Sequence, residues 1–381
     1  MKIITFKNPA RIVFGTDSLN IFINDCADIG LDKLFIITIP ELMPFLQTRF
    51  KMLESKGIDI LFDDSIQQEP SCDDVNRIMD KARRFNADGI AGIGGGSVMD
   101  AAKIAAALLD GKQKIRDVVG SEMITGRRCY LACLPTTSGT GSEVSPNSIL
   151  IDPADQGKKG IISSFLVPDG AYIDPELAVG VPPAVTAATG IDALTHCIEA
   201  FTNKFAHPMT DLYALEGCRL IAGSLKRAFN NGSDMEARSN VALGSLYGGM
   251  CLGPVNTAGV HALAYPLGSK YKLPHGVANA VMLPYVMTFN IPGAVTRYKK
   301  VALAMGAKNE KDDAQVAMEG VKIVEQLIDD CKLPGHLSDY GIKKTDINLL
   351  VEEAMKIQRL LKNNPREISD KEAGEIFMKA L

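Results

Sequence analysis

Two periods of apolar residues divide this chain. In the first half, short apolar runs alternate with stretches of helical period; in the second half only the helical period persists. Lys33-Leu34-Phe35-Ile36-Ile37-Thr38 reads as a strand buried on both faces. Residues 41–56 carry helical period and stop at Gly57, and Ile58-Asp59-Ile60-Leu61-Phe62 gives a second strand. Residues 72–86 read as a helix capped by Ser71, with Asp73 and Asp74 in the first turn, where the helix dipole favours carboxylates. Gly89-Ile90-Ala91-Gly92-Ile93 is a third strand, and Cys129-Tyr130-Leu131-Ala132-Cys133-Leu134 is a further one. Such alternation predicts an α/β domain built on a parallel sheet with helices on both faces.

Beyond Pro182-Pro183 the strand signals fade. Helices are expected at about 183–202, 209–230, 234–252, 256–268, 276–290, 293–305, 311–331, 345–360 and 370–380, with Gly and Pro at the breaks. The boundary falls near 176–183, so we read an α/β domain over 1–180 and an all-α domain over 181–381.

Composition narrows the function. The 381 residues suit two domains, and 46% hydrophobic with 23% charged residues is ordinary for a soluble globular protein. A net charge of −4 without a dense Lys/Arg run argues against a nucleic-acid partner. No run of about 18 uncharged apolar residues offers a membrane span. Met1–Pro9 lacks the apolar region of a signal peptide. The eight cysteines form no Cys-x-x-Cys pair and read as reduced thiols of a cytoplasmic protein.

Two loops carry candidate ligand chemistry. Gly94-Gly95-Gly96-Ser97 follows the third strand and opens a helix at about Ser97. Glycines there let the backbone approach a ligand and adopt conformations closed to other residues, and the free N–H groups of the helix start favour a phosphate. A tight turn without a ligand is the competing reading. Pro135-Thr136-Thr137-Ser138-Gly139-Thr140-Gly141-Ser142-Glu143 places five hydroxyls in one loop, which suits a polar ligand such as a nicotinamide dinucleotide. Open α/β sheets bind ligands at such strand ends.

The five histidines are 196, 207, 261, 275 and 336. Asp192 and His196 are four apart on an expected helix, so they share a face and could share a cation. His261 and His275 would complete a three-nitrogen, one-oxygen shell suited to Fe(II) or Zn(II). A lone helical Asp-x-x-x-His pair is more often a surface feature. His207 and His336 read as surface loop residues.

Taken together, Gly94-Gly95-Gly96-Ser97 with Asp100 and Lys103, the Pro135–Glu143 loop, Asp192 with His196, His261-Ala262-Leu263, Pro274-His275-Gly276 and Asn363-Asn364-Pro365-Arg366 resemble the iron-containing (group III) alcohol dehydrogenases. The resemblance spans essentially the whole chain. It implies a dehydroquinate synthase-like architecture, with a nucleotide-binding α/β domain, a helical metal-binding domain, and metal and nicotinamide in the cleft between them. It implies Asp192, His196, His261 and His275 as metal ligands for Fe(II), with Zn(II) the other candidate. Gly95, Gly96 and Ser97 fall at the pyrophosphate, Thr136, Thr137, Ser142 and Asp100 among the cofactor-binding residues, Lys158 near the ribose, and Asn147 in the substrate pocket. The implied activity is hydride transfer between a nicotinamide cofactor and a small primary alcohol or aldehyde, including diols and hydroxyaldehydes, in a homodimer or larger homo-oligomer.

This sequence departs from the family pattern in three places. Tyr265 stands where many members carry a histidine near the nicotinamide, either as a proton relay or as packing. Ile39 stands where an aspartate often holds the ribose 2′-hydroxyl; Glu69 nearby supplies some repulsion of a 2′-phosphate, so NAD is expected over NADP. Leu252 and Leu360 replace a larger aromatic and a cysteine, which reshapes an apolar substrate pocket. The alternatives are a dehydroquinate synthase-like lyase, a glycerol-dehydrogenase-like relative, and an NAD-binding regulator with a vestigial metal site. The lyase should display lysines and arginines around the metal motif, and no such set is evident.

Overall fold

A computed structural model of the protein describes residues 3–66, 68–154 and 157–381. The chain divides into two units. One holds Lys7–Thr137 and Ser142–Ala178. The other holds Ser138–Gly141 and Val179–Leu381, with the first residues of the chain.

The α/β unit runs β1 (Arg11–Phe14), α1 (Ser18–Ile29), β2 (Lys33–Ile37), α2 (Met43–Glu54), β3 (Asp59–Asp63), α3 (Cys72–Phe85), β4 (Gly89–Gly94) and α4 (Gly96–Ala107). It continues through β5 (Gly120–Ser121), β6 (Tyr130–Pro135), β7 (Asn147–Asp152), β8 (Gly157–Ile162) and β9 (Gly170–Ile173). Six of these strands form one parallel sheet in the order β1-β9-β6-β4-β2-β3. The period of two along β2 explains its continuous apolar run: Phe35 and Ile37 face a core shared with α3 and α4, whereas Leu34 and Ile36 face one shared with α1 and α2. Ser71 caps α3 as expected, accepting from the Asp74 N–H while Asp74 accepts in return.

Three elements of this unit escape the apolar pattern. β1 is a short, largely exposed edge strand, and β9 is a four-residue strand starting at a glycine. The antiparallel β7–β8 hairpin, which with β5 makes a second sheet, is mostly half-buried and reads as loop. The triple glycine therefore follows the fourth strand in chain order, and its helix begins at Gly96 rather than Ser97.

Glycine at this turn serves close packing. A Cβ on Gly94 would stand 2.7 Å from the Val98 side chain, and one on Gly92 would stand 2.8 Å from that of Ala102. Small residues let α4 lie directly on β4. None of Gly94, Gly95 and Gly96 has a positive φ, so the expected unusual conformation is not used here.

The helical unit contains α5 (Pro183–Thr202), α6 (Pro208–Asn230), α7 (Met235–Leu252), α8 (Gly259–Tyr271), α9 (His275–Asn290), α10 (Val295–Ala304), α11 (Asp313–Asp330), α12 (Ile347–Met355), α13 (Gln358–Leu361) and α14 (Asp370–Ala380). The stretch expected as one helix over 345–360 is broken at Ile357, which takes φ −90° and ψ 49°. No Gly or Pro marks this break. The turn lets the adjacent Leu360 and Leu361 both reach the core. His207 is not a surface loop residue: it is buried and its Nδ1 accepts from the Met209 N–H at the start of α6. His336 is exposed, as expected. The Asn363-Asn364 pair is a clamp, with Asn363 donating to the Thr257 carbonyl and Asn364 exchanging amide hydrogen bonds with Asn290. Among the described residues no helix is long and apolar enough to cross a membrane. The eight thiols are free, and seven of them are buried.

Candidate metal centre

Helical spacing builds the site. On α5, Asp192, His196 and Glu199 recur at intervals of four and three and so share one face. On α9, His275 and Asn279 do the same, and α8 contributes His261. Asp192 Oδ1 lies 3.9 Å from His196 Nε2, 3.6 Å from His261 Nε2 and 3.7 Å from His275 Nε2. The Nε2 atoms of His196 and His261 are 3.1 Å apart, with the two rings stacked at 4.8 Å between centroids.

The outer nitrogens are tied down. Glu199 accepts from His261 Nδ1 at 2.6 Å and from the Val260 N–H at 2.6 Å. His196 Nδ1 lies 3.2 Å from the Gly139 carbonyl and donates to it. Both bonds hold the proton on Nδ1, so that Nε2 is the nitrogen that presents a lone pair inward when the ring is neutral. Asn279 is buried, and its amide nitrogen donates to Asp192 Oδ1 at 2.7 Å. The same nitrogen is 3.1 Å from His261 Nε2 and 3.3 Å from His275 Nε2. A carboxylate only accepts, so Asp192 sets the orientation of that amide.

Charge is unevenly distributed. Burial alone would discharge His261, but Glu199 and Asp192 outweigh it and hold the imidazolium up to about 10. Burial pushes His196 down. Burial also works against the Asp192 carboxylate, yet the surrounding histidines keep it well below the usual carboxylate range.

The donor set fits a divalent transition metal. Asp192, His261 and His275 offer ligand atoms within 4.8 Å of one another, and His196 joins them at 3.9 Å from Asp192 and 3.1 Å from His261, against an edge of about 3.3 Å expected for a tetrahedron with metal–ligand bonds of ~2.0–2.1 Å. Three neutral imidazoles and one carboxylate leave a divalent ion with net positive charge, which can polarise an oxygen.

Tyr265, on α8, sets its ring against His275 at 5.9 Å between centroids, with the two planes tilted by 55°. Of the expected pocket residues, Leu360 is fully buried in the helical core, and Leu252 is buried at the end of α7.

The α/β unit holds the remaining candidates. Gly95 caps α4 in an extended conformation, so the first N–H groups, from Gly96 and Ser97, have no acceptor within the helix. The Thr136 N–H donates to the Gly94 carbonyl, and Thr137 Oγ1 lies 3.5 Å from where a Cβ on Gly95 would stand. Asp100 and Ser142 are joined to each other: the Ser142 hydroxyl and the Ile149 N–H both donate to the Asp100 carboxylate. Lys103, fully buried, donates to the Ser142 carbonyl and hydroxyl at 3.0 Å each and to the Asn147 carbonyl. The Asn147 side-chain oxygen is buried without a partner among the described residues. Lys158 forms an ion pair with Glu69, so these two candidates neutralise one another. Ile39 follows β2 and packs against the α3–α4 core.

Sequence reasoning missed Glu199, Asn279 and Arg359. The first two could be found by extending the helical stripe, since Glu199 is three residues past His196 and Asn279 four past His275. Arg359, which donates to the Tyr265 hydroxyl from α13, is brought in by the tertiary fold alone.

A glycine turn opening a helix in an α/β unit, and a three-histidine, one-carboxylate cluster in a helical unit, mark a metal-dependent oxidoreductase. The chain belongs to the iron-containing alcohol dehydrogenase family: the family description "Iron-containing alcohol dehydrogenase" matches residues 9–175, and its C-terminal counterpart matches residues 186–381. It is 34% identical over 385 residues to alcohol dehydrogenase 4 of Schizosaccharomyces pombe, covering 100% of this chain and 90% of the relative. The solved structure of a 1,3-propanediol oxidoreductase superposes with a TM-score of 0.96 at 32% identity, covering 100% of both chains. That of a sulfoacetaldehyde reductase from Bifidobacterium kashiwanohense in complex with NAD+ gives 0.89 at 26% identity, covering 100% and 99%. The protein is a metal-dependent alcohol dehydrogenase with a fold resembling dehydroquinate synthase, and the lyase reading is not favoured.

Proposed function

We propose that Asp192, His196, His261 and His275 hold one Fe(II), with Zn(II) as a competent substitute, and that the enzyme interconverts short primary alcohols, diols or hydroxyaldehydes with their carbonyl partners using NAD. The observation that carries this reading is the convergence of three Nε2 atoms on Asp192 Oδ1. When bound, the cation supplies Lewis-acid polarisation of a substrate oxygen and the nicotinamide supplies or accepts hydride.

The chain's own residues do the positioning. Glu199 and the Gly139 carbonyl hold two imidazoles in one tautomer, and Asn279 fixes the Asp192 carboxylate. Gly95, Gly96 and Ser97 offer the N-terminus of α4 to the cofactor pyrophosphate, with Thr136, Thr137, Ser142 and Asp100 alongside. Tyr265 moves the substrate proton: its oxygen accepts from Arg359, so its own hydrogen points elsewhere. Of the residues expected at the substrate, Asn147 and Leu252 keep that role, whereas Leu360 is fully buried in the helical core and is not available to it.

NAD over NADP is supported by one feature: the Lys158 charge is already matched by Glu69, so it is not a free cation for a 2′-phosphate, whereas Ile39 lacks the carboxylate that would repel one. The relative solved with NAD+ agrees. The relative named for 1,3-propanediol supports a diol. Buried free thiols suit a reducing, cytoplasmic setting, and a homodimer or larger homo-oligomer completes the reading.

The test is reconstitution without oxygen. Metal-stripped protein reloaded with Fe(II) or Zn(II) is given NADH or NADPH and a panel of short aldehydes. Metal-dependent consumption of NADH, with NADPH much poorer, is expected. Turnover by a His261→Ala variant lacking metal would overturn the ligand assignment.

A further inference from the structure

The metal cluster is open on one side. The side chains of Asp192, His196 and His261 are at most 6% exposed, whereas that of His275 keeps 30%. Tyr265 lies on this open side, against His275. Arg359 lies over Tyr265 in turn: its guanidinium carbon is 5.8 Å from the phenol ring centroid, and its Nη2 donates to the Tyr265 hydroxyl at 3.3 Å.

Arg359 is exposed, and among the described residues no carboxylate pairs with it. A guanidinium is a permanent cation with five N–H donors in a rigid fork, and Tyr265 uses one of them. An unpaired arginine normally extends into solvent and keeps its rotamer freedom. This one is anchored by a ring contact and a hydrogen bond to Tyr265, whose ring in turn lies against His275.

We infer that Arg359, held over Tyr265, is a specificity-determining residue that binds an anionic group, a carboxylate or sulfonate, at the far end of a short aldehyde substrate. The inference rests on the dehydrogenase reading and narrows its substrate class. The chemistry is a planar fork meeting two oxyanion oxygens, which is stronger and more directional than a lysine contact. An uncharged aldehyde of equal length gains nothing from it.

Holoenzyme and its Arg359→Gln and Arg359→Lys variants are compared with 4-oxobutanoate and butanal, which differ in the terminal carboxylate. In Arg359→Gln the ratio of kcat/KM for the two aldehydes, anionic over neutral, should fall about 10–100-fold, the range for one hydrogen bond to a charged group. Arg359→Lys should recover part of the ratio, since it keeps the charge and loses the fork. Calorimetric binding of succinate, a non-reacting dianion, should weaken by a similar factor.

Equal losses for both aldehydes would reduce Arg359 to a support for Tyr265 and overturn the inference. A higher KM for the cofactor with an unchanged ratio would assign the guanidinium to a cofactor phosphate and overturn it as well. Succinate binding separates the inference from the reading beneath it. Arg359-dependent binding without turnover of any aldehyde would keep the anion site and remove the dehydrogenase reading; binding indifferent to Arg359 would remove the anion site.

Discussion

Glu199 decides which nitrogen of His261 faces the cluster, and it also decides how tightly His261 holds a proton. The carboxylate accepts from Nδ1 at 2.6 Å in a buried setting, so the imidazolium persists up to about 10 in the metal-free protein. A metal must displace that proton. Apparent affinity for Zn(II) should therefore rise about tenfold per pH unit through neutrality and level off only above pH ~10. In Glu199→Gln the plateau should begin at lower pH, because the main attraction for the proton is gone. The plateau affinity itself should fall about 10–100-fold, as for other partners of metal-bound histidines. Competition with a chromophoric chelator across pH measures both, and an unchanged profile would contradict the role given to Glu199. The ligand pair on α5 was legible because four-residue spacing has a direct geometric meaning. Arg359 was not legible, since 94 residues separate it from Tyr265 and no local pattern links them.

At the scale of elements, the approach of α9 to α5 makes the centre possible. A Cβ on Gly276 would stand 2.2 Å from the Ala188 carbonyl oxygen, which is backbone and cannot swing aside. Gly276→Ala should force the first turn of α9 outward, taking His275 away from Asp192. We expect a loss of about 3 kcal/mol in urea unfolding and a clear loss of metal affinity. Gly223→Ala is the control. Gly223 lies on the exposed face of α6 with nothing within 4 Å of where a methyl group would stand, so the change should be neutral or stabilising by about 0.5–1 kcal/mol. A similar cost at both positions would show that helix propensity, not close approach, governs Gly276. The long helices of the second half were legible because each buries one stripe, and 183–202 and 370–380 match their expected limits. The edge strand β1 and the half-buried β7–β8 hairpin were not, since their apolar runs, Ile12-Val13-Phe14 and Ile149-Leu150-Ile151, are short and only partly buried. The break at Ile357 was hidden for the opposite reason: apolar period continues through it, and only tertiary packing bends the chain.

At the scale of the molecule, the two units bury charge for different ends. The helical unit gathers acceptors that can share a cation. The α/β unit buries Lys103 and Glu143 with a half-buried Asp100 near Lys103, and Lys103 and Asp100 tie α4 to the loop before β7. Burial pushes the Glu143 carboxyl up to about 7, with Lys103 offsetting only part of the cost. The folded state therefore keeps a proton that the unfolded chain gives up at about 4.5, and stability must fall as pH rises through that window. Metal-loaded protein is the right sample, because His261 then has no proton to lose. Asp63, held low by Lys81 and Ser65 against the effect of burial, gains and loses its contribution below this range and does not interfere. Between pH about 5 and 8 the wild-type protein should lose roughly 2–3 kcal/mol relative to Glu143→Gln, whose amide carries no charge at either pH. Urea midpoints at the two pH values give the comparison. Parallel losses in both proteins would mean that Glu143 ionises at its ordinary value in the folded state, and that the buried ion cluster is open to water.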